Sequence, residues 1–124
     1  MAVPILKQGD VLIASIQAAL SDGDLVQLQE DFADRIGRLR SRGIIIDVTA
    51  LDVLDSFATR TLRSIAYTAK LRGAHAVVVG IQPDVAFAMV QLGLSLESIA
   101  TALDLEEGLA EIARATQRSG RRAD

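Results

Sequence analysis

The segment Gly43-Ile-Ile-Ile-Asp-Val-Thr-Ala-Leu-Asp-Val-Leu-Asp-Ser-Phe57 carries most of the structural and functional information in this chain. Residues 44–48 are rich in β-branched side chains and predict a strand that is buried on both faces. A loop containing aspartates follows, and a helical pattern of apolar residues begins at Ser56. This order places a serine hydroxyl at a helix N-terminus, at the carboxyl edge of a sheet. Backbone N–H groups and the helix dipole favour an anion such as a phosphate at that place.

The composition predicts one small domain with an aliphatic core. A chain of 124 residues suits a single domain. Hydrophobic residues make up 50% of the chain, but aromatic residues make up only 3% and tryptophan is absent, so the core must consist of Ala, Val, Ile and Leu. Such cores suit helices that pack closely on a sheet. The mean hydropathy of +0.31 is high for a small domain, which suggests that partner subunits cover part of the apolar surface.

The composition also argues against several classes of function. The absence of cysteine removes disulfides, thiolate metal sites and cysteine nucleophiles, and it fits a reducing compartment. Residues 1–20 do not resemble a signal peptide, and no apolar run approaches the ~20 residues that span a bilayer. The net charge of −3 provides no general attraction to nucleic acid or to anionic lipid. We therefore expect a cytoplasmic protein that binds neither nucleic acid nor a membrane.

Periodicity and turn residues predict the element order β-β-α-β-α-β-α-β-α. The predicted strands cover residues 3–6, 11–16, 44–48, 75–81 and 96–102, and the predicted helices cover residues 25–39, 56–72, 83–93 and 105–116. The first two strands form an antiparallel hairpin, and the later strand–helix units need right-handed crossovers. The expected fold class is α/β, with a mixed, mostly parallel sheet that is entered by a β-hairpin and has helices packed against it. We expect a single domain over residues 1–116 and a basic, flexible C-terminal tail over residues 117–124.

Ser56 has two interpretations on the basis of the residues alone. Serine is a common N-cap because its oxygen accepts a backbone N–H bond, and Asp55 competes for the same role. Alternatively, Ser56 is a phosphoacceptor in an acidic loop that contains Asp47, Asp52 and Asp55. A phosphoryl group of charge about −1.5 to −2 would add like-charge repulsion there. A partner that fits the neutral serine would then be released, with little change in the fold.

The chain shows no convincing catalytic, metal or cofactor site. His75 is the only histidine, and without a second imidazole or a carboxylate motif we expect it simply to start a strand. Ser56 has no Gly-x-Ser-x-Gly elbow, and the glycines are too scattered for a phosphate-binding loop. Asp47 at a strand end resembles the acceptor of a response-regulator receiver, but the initial hairpin contradicts that fold. Thr59 is a candidate secondary phosphoacceptor, although a helical hydroxyl is usually only a tolerated half-polar group.

The hairpin, the first helix, the Ile-Ile-Ile-Asp-Val-Thr strand and the loop Leu51-Asp-Val-Leu-Asp-Ser-Phe57 together resemble a STAS domain. This domain is shared by anti-sigma-factor antagonists and the tails of sulfate transporters, and the resemblance covers about residues 3–116. The Asp-Ser-Phe sequence departs from the Asp-Ser-Gly of ordinary anti-sigma-factor antagonists. It is similar to that of the small, stand-alone RsbS-type scaffold proteins of the bacterial stressosome.

The resemblance implies a specific, non-enzymatic function that needs no cofactor. RsbS-type proteins assemble with RsbR-type co-scaffolds into a large cytoplasmic particle that sequesters an RsbT-type switch kinase. The kinase phosphorylates the scaffold at the serine matched here by Ser56, the modification releases the kinase, and an RsbX-type phosphatase resets the system. Asp47, Asp52 and Asp55 match acidic positions that flank the acceptor. A homodimer and higher oligomers are therefore expected.

Two alternatives involve other partners. A simple anti-sigma-factor antagonist would share the fold and the serine but would bind an anti-sigma kinase one to one. A small-molecule or nucleotide-binding module would use the crevice at the ends of the strands. A hydrolase ranks below both because the chain offers no evident general base.

Overall fold

The structure is a computed structural model that describes residues 3–17, 20–96 and 99–123, with side chains described up to residue 117. In chain order the elements are β1 (Ile5–Gln8), β2 (Val11–Ser15), α1 (Asp22–Leu39), β3 (Gly43–Asp47), α2 (Ser56–Leu71), β4 (His75–Val79), α3 (Pro83–Gln91), β5 (Ala100–Ala102) and α4 (Leu105–Ala123). This is the predicted order of elements. None of the helices in these described ranges combines the length and the apolar character needed to cross a membrane.

The strands form one sheet in the order β1-β2-β3-β4-β5. β1 runs antiparallel to β2, and every other pair of neighbours is parallel. β3 is central, and its Ile45 lies opposite Ile13 of β2 and Val77 of β4. The predicted fold class, a mixed and mostly parallel sheet entered by a β-hairpin, is therefore confirmed.

Helices cover both faces of the sheet. On one face, buried residues of α1, α2 and α3 form a hydrophobic cluster with strand residues that include Ile44 and Ile46. On the other face, Ile45 packs with Ile112 of α4 in a second cluster. Because side chains alternate along a strand, neighbouring isoleucines of β3 serve opposite clusters. Ile44 and Ile45 are each 0% exposed, so β3 is buried on both faces, as its sequence predicts.

Two glycines allow α4 to lie close to the sheet. A Cβ atom on Gly43 of β3 would lie 2.5 Å from Cγ2 of Ile112. A Cβ atom on Gly108 of α4 would lie 2.7 Å from Cγ1 of Val79. Close-packed interiors do not tolerate such contacts without moving the neighbouring groups. The absence of a side chain at these two positions therefore sets the distance between α4 and the sheet.

The start of α1 is fixed by a reciprocal cap. Ser21 is the N-cap residue, and its Oγ accepts a hydrogen bond from the N–H of Asp24 at 3.1 Å. The carboxylate of Asp24 in turn accepts a bond from the N–H of Ser21 at 3.2 Å. This capping box satisfies two N–H groups that the helix leaves unpaired. Asp22 is thereby placed in the first turn, outside the cap.

The C-terminal region differs from the sequence prediction. β5 is limited to Ala100–Ala102, and residues 97 and 98 of the longer predicted strand lie outside the described residues. The predicted flexible tail begins at residue 117, but the helical backbone of α4 continues to Ala123. No proline interrupts this stretch, so every residue supplies the backbone N–H group that a continuing helix needs. The backbone is thus helical up to residue 123, residue 124 lies outside the described residues, and the flexibility of the tail stays a prediction.

We expect Gly43→Ala to lower the free energy of unfolding by roughly 1–3 kcal/mol, because the added methyl group overpacks the contact with Ile112. Denaturant-induced unfolding would measure the change. Gly23→Ala is the matched control, since a Cβ atom there meets nothing closer than Oγ of Ser21 at 3.8 Å and alanine favours a helix. Equal stability of Gly43→Ala and the parent protein would show that α4 does not need this close approach.

Candidate functional site

Ser56 is the first residue of α2, and its side chain is exposed. The N-cap is Asp55, whose Oδ1 accepts a hydrogen bond from the N–H of Ala58 at 2.8 Å. Of the two residues that the sequence offers for the cap, the structure therefore uses the aspartate. Among the described residues, no hydrogen bond engages the hydroxyl of Ser56. That hydroxyl is thus open to solvent and to a partner protein.

The loop between β3 and α2 is anchored by two leucines. Leu51 is 8% exposed and Leu54 is 5% exposed, and both belong to the hydrophobic cluster that α1 and α2 share. The N–H of Leu51 also donates to the carbonyl oxygen of Val48 at 3.0 Å. Asp52 and Val53 lie between the two anchors and are exposed, Val53 to 71%. The loop therefore presents an acidic and an apolar side chain on a fixed base, just before the serine.

Asp47 shapes the start of the same loop. Its Oδ1 accepts hydrogen bonds from the N–H of Thr49 at 2.9 Å and from the Thr49 hydroxyl at 2.6 Å. Nε2 of Gln82 donates to the carbonyl oxygen of Thr49 at 2.6 Å, which ties the loop to the start of α3. Gly80 has a left-handed φ of +80°, and a Cβ atom there would collide with the Thr49 hydroxyl. Asp47 is therefore half-buried and bound within the loop, unlike the exposed aspartates nearer the serine.

The two threonines in the first turns of α2 are buried. Thr59 is 0% exposed, and its Oγ1 has no hydrogen-bond partner within the described chain. This hydroxyl is inaccessible to a partner protein in the folded domain; its burial counts against Thr59 as a secondary phosphoacceptor, which stays a prediction. The sequence does contain a signal for this burial. Thr59 lies three residues before the buried Leu62, so the two side chains share one face of the helix. Thr61 is also buried, and its hydroxyl donates to the carbonyl oxygen of Phe57 at 2.9 Å.

A pocket of about 100 Å³ opens beside the loop, between the first turns of α1 and α2. Small-molecule sites occupy roughly 300–1,000 Å³, so this pocket suits one apolar side chain of a partner better than a nucleotide. Its aliphatic lining is formed by Ile16, Leu20, Leu25, Leu51, Val53, Leu54, Ala58 and Leu62. The lining also includes two carboxylate residues, Asp22 and Asp55.

Asp22 is a member of this site that sequence reasoning misses. The run Ser21-Asp-Gly-Asp24 signals only a helix start, and nothing in it indicates that Asp22 lines a pocket together with Asp55. His75, in contrast, lies where the sequence placed it, exposed at the first position of β4. Over residues 3–17, 20–96 and 99–123, no group of three or more histidine or acidic side chains is arranged to hold a metal ion.

Comparisons with known proteins link this chain to one family. The sequence model of the STAS domain matches residues 2–108. A serine-to-glutamate variant of RsbS from Moorella thermoacetica is 36% identical with a TM-score of 0.79, covering 93% of this chain and 97% of that one. A chain from the stressosome, a signal integration and transduction hub, is 35% identical with a TM-score of 0.73, covering 91% of this chain and 98% of that one.

A curated relative extends the comparison to a longer protein. The RsbT co-antagonist protein RsbRA of Bacillus subtilis (strain 168) is 26% identical over 92 residues. These residues are 74% of this chain and 34% of RsbRA, so this chain corresponds to about a third of that relative.

We expect Thr59→Val to raise the free energy of unfolding by about 1 kcal/mol, because it replaces a buried, unpaired hydroxyl by a methyl group of similar size. Thr61→Val is the matched control: it removes a hydroxyl that does have an acceptor, so it should not stabilise the domain. Thermal and denaturant unfolding of both variants would test the difference. A loss of stability in Thr59→Val would mean that an ordered water satisfies the hydroxyl.

Proposed function

Because the chain belongs to the STAS domain family, we propose that it is a non-enzymatic scaffold that binds a serine/threonine switch kinase and releases it when Ser56 is phosphorylated. The observation that carries this proposal is the exposed Ser56 hydroxyl, which takes no part in capping because Asp55 caps α2. The similarity to RsbS and to a stressosome chain supports it. The name of RsbRA, a co-antagonist of RsbT, supports a kinase of the RsbT type as the partner.

Phosphorylation at this position would leave the fold intact. The Ser56 side chain is exposed and Asp55 keeps its bond to the N–H of Ala58, so a phosphate displaces no buried group. An anion in the first turn of a helix is favoured by about 0.3–1 kcal/mol through the helix dipole. The modification therefore changes the charge of the surface rather than its shape.

The same modification would expel a bound kinase. The hydroxyl must lie close to the nucleotide phosphates and the acidic groups of the kinase for transfer to occur. After transfer, a phosphoserine of charge about −1.5 to −2 would face those anions. The exposed Asp52 and Asp55 add negative charge on the scaffold side. Repulsion in a partly desolvated interface then favours dissociation.

The kinase would bind the scaffold through a surface beside the serine. The pocket between α1 and α2 accepts one apolar side chain, and the carboxylates of Asp22 and Asp55 in its lining favour a neighbouring basic residue on the partner. Val53, which is 71% exposed, offers a further apolar contact. These groups give the kinase a binding surface that does not depend on the serine hydroxyl itself.

The remaining partners follow from the same proposal. The likeness to RsbRA over 74% of the chain supports co-assembly with an RsbR-type protein through STAS domains. A phosphatase of the RsbX type would remove the phosphate from the exposed serine and restore kinase binding. The system would operate in the cytoplasm, where the kinase finds ATP.

We expect an RsbT-type kinase with ATP to add one phosphate to the parent protein and none to Ser56→Ala. Mass spectrometry of the intact protein would count the phosphates. Ser64→Ala is the matched control, since Ser64 is an exposed serine of the same helix and its loss should leave the labelling unchanged. Full labelling of Ser56→Ala would place the acceptor elsewhere.

We expect Ser56→Asp to weaken binding of the kinase by roughly tenfold or more, which corresponds to about 1.4 kcal/mol, because it places a charge at the contact. Isothermal titration calorimetry would measure the affinity. The melting temperature should not fall, since an acidic residue in the first turn of a helix is favourable. Ser64→Asp adds the same charge further along α2 and should bind as the parent does; an unchanged affinity of Ser56→Asp would contradict release by charge.

A further inference from the structure

α2 carries positive charges and no negative one. Its basic residues are Arg60, Arg63 and Lys70, and it contains no aspartate or glutamate. Each of the other three helices in the described ranges has an acidic residue in its first turn, where the helix dipole favours it. The first turn of α2 has none. An anion added to that turn would therefore have only cations in the turns of the helix that follow it.

The first of these cations, Arg60, has no partner among the described residues. Its side chain is exposed, and it makes no hydrogen bond and no ion pair with any of them. In α1, by contrast, Arg38 pairs with Asp34, the residue four positions before it, at 2.8 Å. The residue four positions before Arg60 is Ser56. The helix thus has an unpaired cation in the place where a negative charge on Ser56 would complete an ion pair.

The spacing of Ser56 and Arg60 suits a contact between a phosphate and a guanidinium group. Residues four apart lie on the same helix face, with Cβ atoms about 5–6 Å apart, and both side chains are exposed. A phosphoryl group adds charge and three acceptor oxygens, and a guanidinium group binds phosphate through two parallel N–H bonds. An anion that precedes a cation by four residues is also the more favourable order in a helix.

We propose that Arg60 is a positioning residue that binds the phosphoryl group on Ser56 and holds it against the surface of α2. This contact rests on the function proposed above, because it forms only when Ser56 is phosphorylated. Arg60 is present before and after modification, so it does not reduce the change in charge that the modification brings. Phosphorylation would then have two effects at the contact with the kinase: a negative charge appears, and the exposed cation of Arg60 becomes paired.

The same contact would set the charge of the phosphoserine at neutral pH. The second pKa of phosphoserine is about 6, so part of the group is only singly charged near pH 7. A neighbouring cation lowers the pKa of an acid and a neighbouring anion raises it. Asp52 and Asp55 of the loop, and Asp22, which lines the pocket with Asp55, favour the singly charged form. Arg60 offsets these carboxylates and favours the doubly charged form, which repels a kinase most strongly.

A pH titration followed by phosphorus NMR would test the proposal on protein with phosphoserine incorporated at position 56 during translation, so that no kinase is needed. The midpoint in the parent protein should lie about 0.3 pH units or more below that in Arg60→Gln, which lacks the cation. Arg63→Gln is the matched control. It removes the same charge from the same side of α2, but Arg63 lies about one turn further on and donates to the carbonyl oxygen of Ser95 at 3.4 Å. Its midpoint should equal that of the parent.

Arg60→Lys keeps the charge and should keep most of the lowered midpoint, which a purely structural role of Arg60 would not explain. The proposal is overturned if the parent and Arg60→Gln titrate at the same pH. It is also overturned if Arg63→Gln raises the midpoint as much as Arg60→Gln does, because any nearby cation would then serve. These results are separate from the labelling experiment: a kinase that fails to label Ser56 would refute the proposed function without moving the midpoints, and equal midpoints would refute the Arg60 contact without affecting the labelling.

Discussion

The burial of β3 on both faces is the constraint from which the rest of the structure follows. Its isoleucine side chains point alternately to the two faces of the sheet. They are shielded from water only if helices cover both faces. α1 and α2 therefore lie on one face and α4 on the other. β2 and β4 pair with β3 in parallel, so its backbone groups are satisfied where no water reaches. The loop that follows β3 starts from the most deeply buried strand, so the position of its first residue is set by that strand.

Within that loop, some residues hold the structure and others are exposed to solvent. Leu51 and Leu54 anchor it in the core, Asp47 is bound by Thr49, and Asp55 caps α2. Because these residues hold the loop and cap the helix, the hydroxyl of the adjacent Ser56 is not needed for either purpose. The phosphorylation switch that we propose at Ser56 therefore needs no order–disorder transition of the kind seen in many signalling segments. It can act through charge alone, on a surface whose shape stays the same.

The two candidate contact surfaces of the molecule differ in chemistry. The edge at the start of α2 combines an apolar pocket with the carboxylate residues Asp22 and Asp55, and we propose that binding there responds to one added charge. The exposed side of α3, which includes Phe87 and Val90, is apolar, and a contact there would not respond to a charge added at Ser56. Charge-dependent contacts control specificity and association rate, whereas apolar contacts supply lasting affinity. A contact at the start of α2 would therefore be open to regulation by charge, whereas a contact on the exposed side of α3 would not.

Gln82 connects these two regions. Its side chain donates to the carbonyl oxygen of Thr49 in the β3–α2 loop, while its own position is the N-cap of α3. Gly80 leaves the space that this approach needs. This hydrogen bond therefore joins the serine loop to the start of α3.

The sequence by itself determined the order of the elements, the doubly buried strand at Ile44–Ile46 and the presence of a serine where α2 begins, because periodicity and turn residues are local properties. The sequence did not decide whether Asp55 or Ser56 is the N-cap of α2. Both residue types cap helices, and moving the start of the helix by one residue exchanges their roles. Only the tertiary structure decided that Thr59 is buried and that Asp22 lines a pocket with Asp55. These facts depend on which face of α2 meets the sheet and on α1 lying beside it, and such neighbours are distant in the chain.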